Sequence, residues 1–168
     1  MIVCVDVDYR AAEVVAACVV LRDWGDGVAL RESVTRLPGP PVDYAPGEFY
    51  RRELPPVRAA LDALAAAPHL IVIDGYVWLG PERAGLGAHL HASLGGAVPV
   101  VGVAKRPFAG ATTAIAVLRG TSHNPLFVTA VGIEGAVAAD AVRTMHGANR
   151  IPTMLRRVDR LARDAPRG

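Results

Sequence analysis

The amino-acid sequence predicts an α/β fold in which helices flank a mixed central sheet, and three observations favour this class. Residues 70–75, Leu-Ile-Val-Ile-Asp-Gly, form an apolar run closed by a carboxylate and a glycine, which is typical of a buried strand. Three apolar segments between residues 2 and 34 are joined by short turns, which predicts an antiparallel start to the sheet. Helical patterns and further apolar strands then follow along the chain.

The composition indicates a globular chain. With 168 residues, 52% hydrophobic and 20% charged, we expect one domain over residues 1–168. No run of about eighteen apolar residues predicts a membrane span, and no basic segment with a cleavage site predicts a signal peptide. Cys4 and Cys18 lie in apolar runs without metal-type spacing, which favours a reduced, cytoplasmic protein. The net charge of +2 is weak evidence for a polyanionic partner.

Residues 2–8 are predicted to form the first strand. Because side chains alternate along a strand, Asp6 and Asp8 share one face. Two carboxylates on one face repel each other unless a cation or the solvent separates them. Asp8 lies near the strand end, where water can reach it, but Asp6 lies deeper and needs another explanation.

Two more strands are predicted over residues 14–21 and 27–34, with residues 24–27, Trp-Gly-Asp-Gly, as the hairpin turn. Residues 37–47 contain four prolines, which exclude helix and central strand. We expect a stiff loop there that presents Tyr44.

A helix is predicted to follow this loop, with Pro55 and Pro56 in its first turn, where proline is tolerated. Glu53 lies at the predicted helix start, where the helix dipole favours a carboxylate. A structural role and a functional role are therefore both open for Glu53.

Asp74 closes the buried strand at its carboxyl end. A bare carboxylate is costly in apolar surroundings, and α/β folds usually place their chemistry at this end of a central strand. Alternatively, Asp74 caps the next turn, as Asp before Gly often does. Further helices are predicted at residues 85–94 and 134–145, and further strands at 98–103, 114–118 and 126–131.

Pro152 is predicted to open a last helix. In this helix Asp159 falls on the apolar stripe, at helical spacing from Leu155 and Val158. A carboxylate on a buried helix face needs a partner. Arg156 is one candidate, so a salt bridge and a metal site are alternative interpretations.

The order of these elements fits a ribonuclease H-like layout, with acidic residues on the first strand, a later strand and the last helix. That fold gathers separated carboxylates around Mg²⁺. Oxygen ligands suit Mg²⁺. We therefore expect Mg²⁺ as the cofactor, with Mn²⁺ as a substitute. The five histidines are not spaced like a zinc site.

Five motifs carry a family resemblance. They are Tyr44-Ala-Pro-Gly47 with Arg51-Arg-Glu53, Val72-Ile-Asp-Gly75, Gly85-Leu-Gly-Ala-His89, Gly102-Val-Ala-Lys105 and Arg150-Ile-Pro152. In this order and at this spacing they resemble the motifs of the endonuclease V family, repair nucleases that act at deaminated adenine (inosine) in nucleic acid. The resemblance covers nearly the whole chain, from Val5 to Asp159.

The resemblance implies catalytic roles. Asp6, Glu53 and Asp74 would form an acidic core that binds the metal, and Asp159 falls where the family has a histidine or aspartate that completes it. Lys105 would assist near the scissile phosphate. The partner would be DNA, with RNA as the alternative, and no protein partner is inferred.

The resemblance also implies residues on the substrate side. Tyr44 would be the wedge that enters the duplex when the target base is turned out. Gly47, Gly75 and Gly85 would belong to the pocket that receives this base. His89 is a further candidate on the same side.

Three departures from the family concern the pocket wall and the chain start. Residues 76–81, Tyr-Val-Trp-Leu-Gly-Pro, stand where the family has Gln-Gly and then His-Pro. Residues 130–132, Ala-Val-Gly, replace the family's Pro-Gly-His, and the segment that usually precedes the first strand is missing. Trp78 would either stack on a base or belong to the core.

Three hypotheses follow. The first is a Mg²⁺-dependent endonuclease of DNA repair that nicks near deoxyinosine and leaves 3′-hydroxyl and 5′-phosphate ends. The second keeps this chemistry for other lesions, mismatches, branched DNA or inosine-containing RNA. The third is a non-catalytic nucleic-acid-binding relative, which the retention of four costly acids disfavours. Convergence of these acids within metal-bridging distance would further discriminate against the third.

Overall fold

The computed structural model describes residues 1–39 and 49–166, which contain nine strands and four helices. The strands are β1 (Ile2–Tyr9), β2 (Glu13–Leu21), β3 (Arg31–Pro38), β4 (Leu70–Asp74), β5 (Trp78–Gly80), β6 (Arg83–Ala84), β7 (Val100–Ala104), β8 (Ile115–Val117) and β9 (Leu126–Val131). The helices are α1 (Phe49–Asp62), α2 (Leu86–Ser93), α3 (Gly135–Thr144) and α4 (Thr153–Asp164). None of these four helices has the length and apolar character needed to cross a membrane.

Seven strands form one mixed sheet in the order β3-β2-β1-β4-β7-β9-β8. The three central strands β1, β4 and β7 are parallel, and the outer strands pair antiparallel on both sides. The register pairs Val5 with Ile73, so Asp6 and Asp74 lie side by side where the parallel pairing of these two strands ends. Lys105 directly follows β7 at the same edge. The carboxyl ends of the parallel strands therefore collect the polar residues, as in other open α/β sheets.

Apolar side chains cover both faces of the sheet, because alternate residues of each central strand point to opposite sides. In β1, Ile2 and Cys4 pack on the side of α3 and α4, whereas Val3 and Val5 pack on the side of α1 and α2. Helices from both layers can therefore reach the same edge of the sheet.

The predicted mixed sheet with flanking helices is confirmed. β9 has the predicted limits, 126–131, and the other predicted elements after residue 70 begin and end within a few residues of their expected positions. The hairpin of β5 and β6, within residues 78–84, was not predicted, because its strands are too short to show an alternating pattern.

The predicted position of the third strand, 27–34, is wrong. β3 begins four residues later and continues to Pro38, which pairs with Glu13 of β2. Val28 and Leu30, counted as strand residues from their apolar character, lie in the connection and are exposed, with 81% of Val28 accessible. Pairing with the nine residues of β2 decides the register of β3, and local hydrophobicity does not report that pairing.

The start of the predicted loop over residues 37–47 is also wrong, because residues 37–38 end β3. Tyr44 and Gly47, two of the predicted substrate-side residues, lie outside the described residues.

α1 begins at Phe49, so the placement of Pro55 and Pro56 in its first turn is wrong. Both prolines lie inside the helix, where each removes one N–H donor from the hydrogen-bond ladder. Glu53 accordingly lies in the second turn, and no acidic residue occupies the first turn. The helix-dipole explanation for Glu53 therefore does not apply.

Candidate active site

Four carboxylates from four different elements line one cavity of about 580 Å³ at the carboxyl edge of the parallel strands. They are Asp6 on β1, Glu53 on α1, Asp74 on β4 and Asp159 on α4. Because α1 and α4 lie on opposite faces of the sheet, the acids converge from both layers. The structure brings together all four residues that the sequence predicted as an acidic cluster.

Asp6 is the innermost carboxylate of β1. It follows the buried Val5, and its Oδ1 accepts a hydrogen bond of 2.8 Å from the backbone N–H of Val7. Burial raises the pKa of Asp6 to about 7, and the neighbouring Asp74 carboxylate contributes to this rise. The Val7 N–H and the Lys105 ammonium lower this pKa but do not compensate. Asp6 therefore lacks sufficient positive charge around it.

Glu53 is the most buried acid of the site, with 8% of its surface exposed. Burial raises its pKa to about 7, and repulsion from Asp6 and Asp74 contributes to the shift. Tyr9 and Arg52 lower the pKa of Glu53. The inner pair of acids, Asp6 and Glu53, thus holds a proton near neutral pH when no cation is bound.

Tyr9 joins β1 to α1 next to Glu53. Its hydroxyl donates a hydrogen bond of 3.1 Å to the backbone carbonyl of Arg52, and the Arg52 guanidinium lies 3.7 Å from the centre of the Tyr9 ring. In an unbroken helix the N–H of residue 56 would bind the carbonyl of residue 52. Pro56 has no N–H, so this carbonyl is free to accept the tyrosine hydroxyl. The proline in the helix interior therefore allows the contact that holds Glu53 over β1.

Asp74 pairs with Lys105, whose Nζ lies 2.5 Å from Asp74 Oδ2. Both side chains are partly exposed in the cavity edge. Lys105 is the single lysine of the chain, beside seventeen arginines. The carboxylate of Asp74 therefore contacts another predicted site residue.

Asp159 pairs with Arg163, one helical turn further along α4, at 2.8 Å between Oδ1 and Nη2. The prediction that Arg156 could be the partner of Asp159 is wrong, because the Arg156 guanidinium donates to the backbone carbonyl of Ile151 at 3.4 Å. Sequence spacing could not decide which of these two arginines pairs with Asp159, because each lies three or four residues from it.

The donor chemistry of the four acids fits a hard divalent cation, because all of them offer oxygen ligands. Burial raises the pKa values of Asp6 and Glu53, and repulsion from Asp74 adds to both shifts, so a bound cation would favour their charged forms. Asp74 and Asp159 are turned toward their basic partners. Across residues 1–39 and 49–166, no three His, Cys, Asp or Glu side chains lie close enough to hold one ion. The donor types fit a cation, while the described side-chain positions do not form a closed coordination shell.

The predicted substrate-side glycines differ in position. Gly75 lines the acid cavity, and its φ of 133° is a conformation that favours glycine. Gly85 opens α2, and a Cβ there would lie 2.5 Å from the carbonyl oxygen of Tyr76. The missing side chain of Gly85 therefore lets the chain after Asp74 pass close to α2.

His89 does not line the acid cavity. Its ring stacks on Tyr50, with 3.6 Å between ring centres and 15° between planes, and so connects α2 to α1. Burial lowers the pKa of His89, which favours the neutral imidazole.

Among the described cavity residues that were not predicted from the sequence, Tyr9, Arg52 and Arg163 contact or neighbour the acids of the site. Arg52 directly precedes Glu53 in the Arg51-Arg-Glu53 motif, and Arg163 lies four residues after Asp159. These spacings were the available signals, but each is also common on solvent-exposed helix faces.

A family model for Endonuclease V matches residues 1–160 of this chain. The chain belongs to the Endonuclease V family. Curated relatives include the Endonuclease V of Streptomyces coelicolor, 37% identical over 97% of this chain and 78% of the relative. The Endonuclease V of Streptomyces avermitilis is 38% identical over 96% of this chain and 78% of the relative.

Solved structures of Endonuclease V proteins share this fold. The crystal structure of the Streptomyces avermitilis protein superimposes with a TM-score of 0.74 at 35% identity, over 98% of this chain and 80% of that protein. Endonuclease V of Ciona intestinalis, in complex with DNA that contains an inosine followed by a ribo-adenosine, has a TM-score of 0.81 at 21% identity, over 97% of this chain and 84% of that chain. The predicted ribonuclease H-like fold class is confirmed.

The two segments that depart from the Endonuclease V pattern contact each other. The backbone N–H of Val77 donates to Thr129 Oγ1 at 2.8 Å, and the Trp78 indole N–H donates to the Ala130 carbonyl at 3.1 Å. The half-buried Trp78 also packs against the core layer of α1 and α2. Of the two alternatives for Trp78, the structure favours a core residue. Residues 76–81 and 130–132 therefore lie next to each other and form one contiguous region.

Proposed function

We propose that this chain is a divalent-cation-dependent endonuclease that nicks DNA near deoxyinosine and leaves 3′-hydroxyl and 5′-phosphate ends. The observation that carries the proposal is the convergence of Asp6, Glu53, Asp74 and Asp159 in one cavity beside Lys105, in a member of the Endonuclease V family. This activity would serve DNA repair. We place it in the cytoplasm, which the unpaired, buried thiols of the described chain support.

The proposed metal ligands are Asp6, Glu53, Asp74 and Asp159, with Mg²⁺ as the ion and Mn²⁺ as a substitute. The bound ion would supply Lewis-acid stabilisation and a more acidic water. A bound cation would favour the charged carboxylates of Asp6 and Glu53, whose pKa values are raised by burial and by repulsion from Asp74.

Lys105 is proposed to neutralise charge on the scissile phosphate. Its ammonium is a compact point charge at the cavity edge, held 2.5 Å from Asp74. If the Asp74 carboxylate held a metal ion, the ammonium would be available to a phosphate oxygen. Gly75, next in the chain, would leave room for the nucleotide, because no atom of the described residues, apart from its two chain neighbours, lies within 4 Å of the position its Cβ would take.

Deoxyinosine is the substrate we propose first, since the Ciona intestinalis relative was solved with inosine-containing DNA. A second candidate is the same hydrolysis on another lesion, a mismatch, branched DNA or inosine-containing RNA. The contact of Trp78 with Ala130 favours this second candidate, because it joins the two segments in which the family resemblance implies a changed pocket wall.

The deciding experiment is cleavage of a labelled duplex with one deoxyinosine, beside an unmodified duplex, with Mg²⁺ and with EDTA. We expect a Mg²⁺-dependent nick in the inosine strand alone. Asp74→Asn should reduce the rate by at least about 100-fold with an unchanged circular dichroism spectrum. Equal nicking of both duplexes would favour the second candidate, and binding without any nicking would favour a non-catalytic relative.

A further inference from the structure

The position of the Lys105 ammonium depends on how its backbone is held. Lys105 is the first residue after β7, outside regular structure, and its side chain is partly exposed. A long flexible side chain on a mobile backbone would lose its place beside Asp74 easily, because several rotatable bonds already separate Nζ from Cα. An anchor on the Lys105 main chain would reduce this freedom.

Arg150 supplies such an anchor. Its Nη2 donates to the backbone carbonyl of Lys105 and, at 2.9 Å, to that of Pro125. Lys105 follows β7 and Pro125 precedes β9, and these strands are paired in the sheet. One guanidinium therefore bridges the ends of two neighbouring strands at the cavity edge. The buried Arg150 Nε has no hydrogen-bond partner within the described chain. This side chain therefore leaves one donor unsatisfied while its Nη2 binds both carbonyls.

Arg150 is itself held in place by a second arginine. Arg119 has 6% of its surface exposed, and burial lowers its pKa. Its guanidinium donates to backbone carbonyls near the end of α3 and in the connection that leads from α3 to α4. The acceptors are the carbonyls of Arg143, Met145, Gly147, Asn149 and Arg150. Charge-assisted bonds from one rigid fork to five acceptors fix the main chain from which the Arg150 side chain projects.

We propose that Arg150, fixed through Arg119, is a positioning residue that places the Lys105 ammonium in the active site. This inference rests on the proposed function of Lys105. It accounts for the Arg150-Ile-Pro152 motif, for which the acid cluster gives no role. The same connection leads into α4, which carries Asp159. The segment that Arg119 holds therefore influences the positions of both Lys105 and Asp159.

The kinetic test is a double-mutant cycle between Arg150→Gln and Lys105→Ala, measured as single-turnover cleavage of the inosine duplex. Arg150→Gln should lower the cleavage rate by about 10- to 100-fold with nearly unchanged duplex affinity. In the Lys105→Ala background the same change should have little further effect, because Arg150 acts through Lys105. An equal loss in both backgrounds would overturn the proposal.

The matched control is Arg143→Gln, which removes the same charge from the same region. The Arg143 side chain pairs on the surface of α3 with Asp140, while its carbonyl still accepts from Arg119. We expect wild-type cleavage from this control. Arg150→Lys should recover part of the rate, since an ammonium can bind one of the two carbonyls.

A spectroscopic test is independent of cleavage, because the single lysine of the chain gives one carbonyl resonance after labelling with ¹³C-lysine and ¹⁵N-arginine. This Lys105 carbonyl, adjacent to Arg106, should shift in Arg150→Gln and stay in place in Arg143→Gln. An unshifted resonance in Arg150→Gln would contradict the anchor directly. If the wild-type chain cleaves no substrate, the proposed function fails, while this resonance still decides whether Arg150 holds Lys105.

Discussion

At the scale of single residues, the four carboxylates fall into an inner and an outer pair. The outer acids, Asp74 and Asp159, each contact a basic side chain at 2.5 and 2.8 Å. The inner acids, Asp6 and Glu53, are buried, and their pKa values are raised to about 7. Burial therefore disfavours the charged form most strongly at the inner pair, and we expect a bound cation to stabilise these two carboxylates most.

The inner pair predicts how stability depends on pH without a divalent cation. Their pKa values rise from ordinary values of 3.8 and 4.5 to about 7 on folding, so the folded protein holds these protons more tightly. Their contribution to the free energy of unfolding is complete below pH about 4 and is lost as the pH rises to about 7. Asp6→Asn should remove part of this loss. Thermal unfolding of both proteins between pH 5 and pH 8 in EDTA checks it, and a constant difference in Tm across this range would contradict it.

Lys105 predicts a strict requirement for an ammonium group. The chain has seventeen arginines and one lysine, and the lysine is the residue that lies beside Asp74. Lys105→Arg keeps the charge but introduces a larger planar group, so we expect cleavage to fall by about 100-fold with intact fold. Arg22→Lys, at an exposed position, is the control. Cleavage near the wild-type rate in Lys105→Arg would show that charge alone suffices.

At the scale of elements, the interior prolines of α1 explain how Glu53 reaches the sheet. Pro56 leaves the Arg52 carbonyl without its helical donor, and the Tyr9 hydroxyl takes that place. Helix and strand are thus joined by a hydrogen bond to a carbonyl whose helical donor is absent.

Tyr9→Phe is accordingly expected to lower the free energy of unfolding by about 1 kcal/mol, because the Arg52 carbonyl loses its donor. In a Pro56→Ala background the cost should shrink, since the alanine introduced there can supply the missing N–H. Chemical denaturation of the four proteins of this cycle gives the coupling. Equal costs in both backgrounds would mean that the proline is unrelated to the tyrosine contact.

At the scale of the whole molecule, the site is assembled from both layers that cover the sheet. Glu53 arrives on α1 from one face and Asp159 on α4 from the other, while Asp6 and Asp74 lie on neighbouring parallel strands. A cation bound between them would link both layers, in addition to the packing of the core and the hydrogen bond from Tyr9 to the Arg52 carbonyl.

Mn²⁺ or Mg²⁺ should therefore raise the Tm of the whole chain, because an ion that binds the folded state stabilises it by mass action. The shift should be reduced in Asp6→Asn and retained in Asp62→Asn, which changes an exposed acid of α1. Differential scanning calorimetry with increasing Mn²⁺ measures both. An equal shift in all three proteins would indicate binding elsewhere on the surface.

The sequence by itself determined the central strands and the acids Asp6 and Asp74 that lie on them. Apolar runs such as residues 70–73 report burial directly, and a carboxylate that closes such a run lies where α/β folds usually place their chemistry. Ordered motifs indicated the family, the fold class and the four acids of the cavity. These features are local, or are repeated along the chain, and can therefore be read without coordinates.

Tertiary structure alone decided which groups meet. The register of β3 depends on β2, the start of α1 depends on contacts that tolerate interior prolines, and the partners Lys105 and Arg163 were chosen among several possible cations. The carbonyl bonds of Arg150 involve residues 25 and 45 positions away in sequence. Local sequence patterns indicate whether a residue is buried. Which residues become partners depends on interaction energies between distant segments, and the sequence of one segment does not reveal these energies.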